Sequence, residues 1–188
     1  MTFKIWLETE EGSIIAYHGS PTKITSFTTD FLGEGHDQEG PGIYFTTSRD
    51  DAANYGPHIH KVILRPRKLV KHGGRINRKQ IETLILASAN VQNIAELAKI
   101  DMDKYWDIPL SNFDENPVKA FQEAVNNVVK YSTSPHDAFQ NVWIVHFRYK
   151  PQKYLEEMVK LGYDGVKVEK NDLNHYIIFN PSIIEMQE

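Results

Sequence analysis

Tyr17-His18-Gly19-Ser20 and the stretch PGIYFTTSRDDAANY at 41–55 concentrate residue types that suit a flat polar ligand. The second stretch sets Tyr44 and Tyr55 eleven residues apart. Packing a core asks for no such arrangement. Two phenol rings, in contrast, can sandwich an electron-poor ring by offset stacking. A glycine such as Gly19 offers a bare peptide N–H and C=O, and no side chain keeps a ring away from them. A third cluster, Asn174-His175-Tyr176-Ile177-Ile178-Phe179, places a histidine at the head of an apolar run.

The elements that must position these residues can be read from pattern. Ile14–Tyr17 is a short apolar run that ends at His18-Gly19 and reads as a strand with its end there. Glu34–Gly42 is rich in glycine and polar residues and reads as a mobile loop. Gly42–Thr46 is β-prone. Ser48 then starts a short helix as its N-cap, with Asp51 at the capping-box position, and Gly56-Pro57 ends it. His58–Leu64 reads as a strand stopped at Arg65-Pro66. Residues 75–141 change texture. Ile81, Leu84, Ile85 and Ala89 recur at helical spacing, as do Ile94, Leu97 and Ala98. Pro117 opens a third helix whose apolar face is Val118, Phe121, Val125, Val128 and Val129. Val142–Phe147 reads as a strand and Pro151–Leu161 as a helix closed by Gly162. Val166–Glu169 and Tyr176–Phe179 read as strands around an Asn171-Asp172 turn. The fold class is α+β, a strand-rich body with a helical insert at about 75–141.

Composition narrows the function classes. The length of 188 residues suits one domain, and 40% hydrophobic with 24% charged residues argues against a disordered chain. A net charge of −4 gives no broad footprint for nucleic acid. The absence of cysteine excludes disulfides, thiolate nucleophiles and cysteine-held zinc. No apolar run approaches the roughly 20 residues that cross a bilayer, and the first residues carry acids, so a cytoplasmic protein with no membrane partner is expected. No GxxxxGK[ST] or GxGxxG motif is present. His58 and His60 share one face of a strand, but no third ligand is evident and no metal site is expected. Arg65, Arg67, Lys68 and Lys71 form a basic cluster that reads as a solvated edge, with an acidic or nucleic-acid partner as the alternative.

Tyr17-His18-Gly19-Ser20, Gly42-Ile43-Tyr44-Phe45, Ala53-Asn54-Tyr55 and Asn174–Phe179 occur in an order that resembles the ADP-ribosyltransferase superfamily, in its diphtheria-toxin and poly(ADP-ribose) polymerase branch. That branch carries His, Tyr and Glu on three strands. The texture, including Gly162-Tyr163-Asp164-Gly165, is also similar to small domains of phage and bacterial polyvalent proteins. The resemblance spans most of the chain and implies one domain over 1–188 with a split β-sheet core. It implies NAD as co-substrate and a protein or nucleic-acid acceptor. It implies catalytic roles for His18, Tyr44 and His175, and cofactor contacts by His18, Gly19, Ser20, Tyr44, Phe45 and Tyr55. Tyr44 and Tyr55 would stack on nicotinamide, Gly19 would bind its carboxamide, His18 would bond a ribose hydroxyl, and the loop at 30–41 would close as a lid.

Two departures bear on chemistry. The branch has Glu where this chain has His175, and a neutral imidazole accepts a hydrogen bond without supplying negative charge. Cleavage at the nicotinamide ribose develops oxocarbenium character, which a carboxylate favours electrostatically. Glu169 and Asp172 are the nearby acids that could replace it. Ala52 stands where the polymerases have a serine that holds the carboxamide. Polymer synthesis is therefore not expected. Single-unit transfer, NAD hydrolysis and NAD binding without turnover remain open, with RNA 2′-phosphotransferase chemistry a more distant alternative.

Overall fold

Alternating apolar residues in the first and last parts of the chain build one curled sheet. A computed structural model of the protein describes residues 12–30, 32, 39–88, 117–147, 150–170 and 172–187. The strands are β1 (Ile14–Ser20), β2 (Ile43–Thr46), β3 (His58–Leu64), β4 (Leu69–Val70), β5 (Gly165–Lys170), β6 (Leu173–Ile178) and β7 (Ile184–Met186). Their order across the sheet is β4-β5-β6-β2-β1-β3-β7. All pairs are antiparallel apart from β4–β5. β1 pairs with β3 along its whole length, from Ile14↔Leu64 to Ser20↔His58. β2 pairs with β6 from Ile43↔Ile178 to Thr46↔His175. Between β1 and β2, however, the register holds a single pair, Tyr17↔Thr46. The sheet is split at that seam, as the resemblance implied.

Period-two alternation sends successive residues to opposite faces. Ile43 and Phe45 of β2 join Ala16, Val62, Leu64, Tyr176 and Ile178 in one buried cluster. Tyr44 of β2 and Ile177 of β6 face a second, larger cluster built with the helices. These helices are α1 (Arg49–Ala52), α2 (Arg78–Ser88), α3 (Pro117–Tyr131), α4 (Pro135–Val142) and α5 (Pro151–Lys160). Leu84 and Ile85 of α2, Val125 and Val128 of α3, Phe139 of α4 and Met158 of α5 cover Val166 and Val168 of β5. The helical block therefore lies in sequence between β4 and β5 and in space against one face of the sheet. The readings at Ala89, Ile94, Leu97, Ala98 and the centre of the glycine-rich loop fall outside the described residues.

One expected strand is not a strand. Val142–Phe147 continues α4 and passes into a π-helical turn, Trp143–Phe147. Val142, Trp143, Val145, His146 and Phe147 are all buried. A short, unbroken apolar run carries no periodicity that separates a buried strand from a buried helix. The Ser134 cap, whose Oγ accepts the Asp137 N–H at 3.1 Å, launches the helix, and no proline or glycine interrupts it before Pro151. His18 and Gly19, read as a strand end, instead lie within β1.

Candidate functional site

The seam is where the chemistry-bearing residues gather. Beyond Tyr17↔Thr46 the strands β1 and β2 part. The His18 ring bridges the gap: its Nδ1–H donates to the Tyr44 carbonyl at 2.8 Å. This bond fixes the neutral tautomer, leaving Nε2 as an acceptor. Burial, opposed by the bond to Tyr44 and assisted by neighbouring His60, holds His18 below the usual histidine range. Phe27 packs edge-on against the ring at 5.2 Å and Phe45 lies tilted at 5.6 Å. His18 is thus uncharged near neutral pH and rigidly seated.

Tyr17, His18, Gly19, Tyr44, Phe45, Thr46, Ala52, Tyr55 and His175 line a cleft of about 70 Å³ at the seam. Tyr44 is half-buried and anchored through its hydroxyl, which donates to the Gly40 carbonyl at 2.6 Å and accepts the Glu39 N–H at 3.3 Å. Tyr55 sits on a 3₁₀ turn, Ala53–Tyr55, that continues α1, and it is 65% exposed. Ser48 caps α1 as expected, its Oγ accepting the Asp51 N–H at 3.1 Å. Gly19 is required by this packing. A Cβ there would stand 1.8 Å from the Ala52 carbonyl oxygen and 3.2 Å from Tyr55 Cβ. The missing side chain lets the α1 turn press against β1 and brings Tyr55 to the cleft.

His175 reaches the cleft through register. It pairs with Thr46 on β2, which pairs with Tyr17 on β1, so the three residues form a row across the sheet. Its Nε2 lies 3.8 Å from Asp51 Oδ2. That Oδ2 atom is buried and has no hydrogen-bond partner among the described residues. Asp51, Tyr17 and Thr46 were not singled out from sequence as site residues. Asp51 carried only a helix-capping signal, and the other two become visible only once β2 is known to lie between β6 and β1.

Of the expected site residues, His18, Gly19, Tyr44, Phe45, Tyr55 and His175 converge on the cleft. Ser20 is buried but is not among the lining residues, and its Oγ accepts the Thr22 N–H at 3.3 Å. Glu169 is exposed and pairs with Lys167 at 2.7 Å. Asp172 is exposed at the β5–β6 hairpin with φ of 61°. The basic cluster is partly neutralised: Arg65 pairs with Glu185 and Arg67 with Asp164, each at 3.1 Å, while Lys68 lies over the Tyr163 ring. A larger depression of about 340 Å³ beside Arg65 and Glu185 lies at the β3–β7 end, away from the seam. No described helix is long and apolar enough to cross a membrane.

No curated protein matches the chain. One solved structure, a crystal structure of an anti-CRISPR protein, is similar at 14% identity over 94% of this chain and 97% of its own, with a TM-score of 0.36, a likeness too slight to bear on function. The family model for the ADP-ribosyltransferase in polyvalent proteins matches residues 10–185, nearly the whole chain and every strand of the split sheet but the last residue of β7. With that match, the chain belongs to the family of ADP-ribosyltransferases in polyvalent proteins.

Proposed function

We propose that the protein is an NAD-dependent mono-ADP-ribosyltransferase whose acceptor is a protein or a nucleic acid. The observation that carries this reading is the convergence of His18, Gly19, Tyr44, Tyr55 and His175 on one cleft from four separate elements. Tyr44, held from both sides of its hydroxyl, is the fixed face of a stacking clamp. Tyr55, exposed at the rim of the cleft, is the outer face, and a pyridine ring would lie between the two. The Gly19 peptide binds the carboxamide. His18 Nε2, kept unprotonated, accepts a hydroxyl of the adenosine ribose. His175 accepts from the ribose at the scissile bond. NAD supplies the glycosidic bond to a good leaving group, and the protein orients that bond and stabilises the positive charge that develops on the ribose.

Incubation of the folded protein with labelled NAD and a cell lysate tests the reading. Nicotinamide release and labelled acceptor are expected, and both are expected to fall about tenfold at limiting NAD in Tyr44→Ala. Neither product from folded wild-type protein would end it. A second reading, a binding module that holds NAD or ADP-ribose without turnover, is favoured by His175 and Ala52 at their positions in the cleft. It predicts that NAD raises the melting temperature by mass action while no NAD is consumed.

A further inference from the structure

We infer that Asp51 is the carboxylate that positions His175 and supplies the negative charge behind it, so that an aspartate–histidine pair takes the place of a single glutamate; the inference rests on the NAD reading above. A buried carboxylate oxygen with no partner is costly. Asp51 Oδ2 is such an atom, and the His175 imidazole nitrogen stands 3.8 Å away. The two side chains come from separate elements, α1 and β6. Each is about one-fifth exposed, at 21% and 20%. His175 lines the cleft, whereas Asp51 does not and lies behind it. Asp51 therefore acts through the imidazole.

With Nε2–H turned to Asp51, the His175 Nδ1 lone pair is free to accept a ribose hydroxyl. The pair then carries one net negative charge, and a protonated ring makes it neutral rather than positive. The developing cation is no longer opposed. Glu169 is committed to Lys167, and Asp172 sits exposed in the hairpin turn, so neither competes for this role. In the transfer, the bond from C1′ to the pyridine nitrogen breaks with its electron pair leaving on nicotinamide. C1′ bonds an oxygen or nitrogen of the acceptor, or water, and the acceptor's proton passes to solvent.

Nitrogen NMR of His175 in the ligand-free protein reads the pair without any NAD. The expected spectrum shows the Nε2–H tautomer in the wild type and a shift toward a mixture in Asp51→Ala. In turnover assays, Asp51→Asn is expected to lower the maximal rate of nicotinamide release about 30-fold while changing NAD affinity less than about threefold, and Asp51→Glu to recover part of the rate. An Nδ1–H ring in the wild type overturns the inference. So does an undiminished rate in Asp51→Asn. Wild-type protein that binds no NAD by calorimetry overturns the NAD reading instead, and the tautomer then decides the pair by itself.

Discussion

At the scale of single residues, Tyr44 separates what its ring does from what its hydroxyl does. The hydroxyl ties β2 to the turn at Glu39-Gly40, and the ring faces the cleft. Tyr44→Phe should cost about 1 kcal/mol of stability, the worth of ordinary hydrogen bonds, and leave NAD affinity nearly intact. Tyr44→Ala should weaken NAD binding about tenfold, since a stacked aromatic contributes about 1 kcal/mol beyond its buried area. Calorimetry on both variants checks the contrast. Gly19→Ala drives its methyl into the Ala52 carbonyl, backbone rather than a flexible side chain. It should destabilise the fold by about 3 kcal/mol, measured by denaturant unfolding, and displace Tyr55. Such positions differ in how far sequence reveals them. Gly19, Tyr44 and Tyr55 stand out by type and spacing. Asp51 does not, because an acid in the first turn of a helix is ordinary, and its place beside His175 depends on β2 and β6, more than 100 residues apart in the chain, pairing in the sheet.

At the scale of elements, Gly162–Gly165 shows a motif with structural causes throughout. Gly162 has φ of +83°, and its N–H bonds Val159 while the Tyr163 N–H bonds Met158, which closes α5 in a Schellman turn. The Tyr163 ring lies under Lys68 and edge-on to Phe139. The Asp164 carboxylate is buried and accepts the Arg67 N–H at 2.8 Å, the Lys68 N–H at 3.3 Å and the Arg67 guanidinium at 3.1 Å. Burial pushes its proton affinity up, but these bonds outweigh burial and hold the carboxyl below the usual range. At Gly165 a Cβ would stand 2.4 Å from the Ile177 carbonyl oxygen. Asp164→Ala should therefore cost about 2 kcal/mol by leaving two backbone donors without their acceptor, read as a lower denaturation midpoint. The strands with alternating residues were legible in the sequence because one face of each is buried in a distinct cluster. Val142–Phe147 was not, because burial of nearly all its side chains erases the pattern that tells strand from helix.

At the scale of the whole molecule, three histidines make stability depend on pH in one direction. Burial holds His18 and His136 below the usual histidine range, with a neighbouring histidine adding to the effect in each, and burial pushes His146 down to about 4. A base that binds its proton less readily when folded leaves the unfolded chain holding more protons as the pH falls. Stability from these groups is complete above their ordinary value of 6.5 and is lost as the pH drops through the lowered values. His146 alone should remove about 3 kcal/mol between pH 6.5 and 4, since each pKa unit is worth about 1.4 kcal/mol. Denaturant midpoints measured across that range check the slope, and in His146→Phe the slope should be shallower. The strand order carries a different consequence. β6 slots between β2, finished more than 120 residues earlier, and β5, so the cleft waits for residues 173–178 to be translated. A ribosome-bound polypeptide stopped before residue 173 lacks both His175 and the strand that flanks β2. The row of Tyr17, Thr46 and His175 is thereby withheld until β6 has left the ribosome.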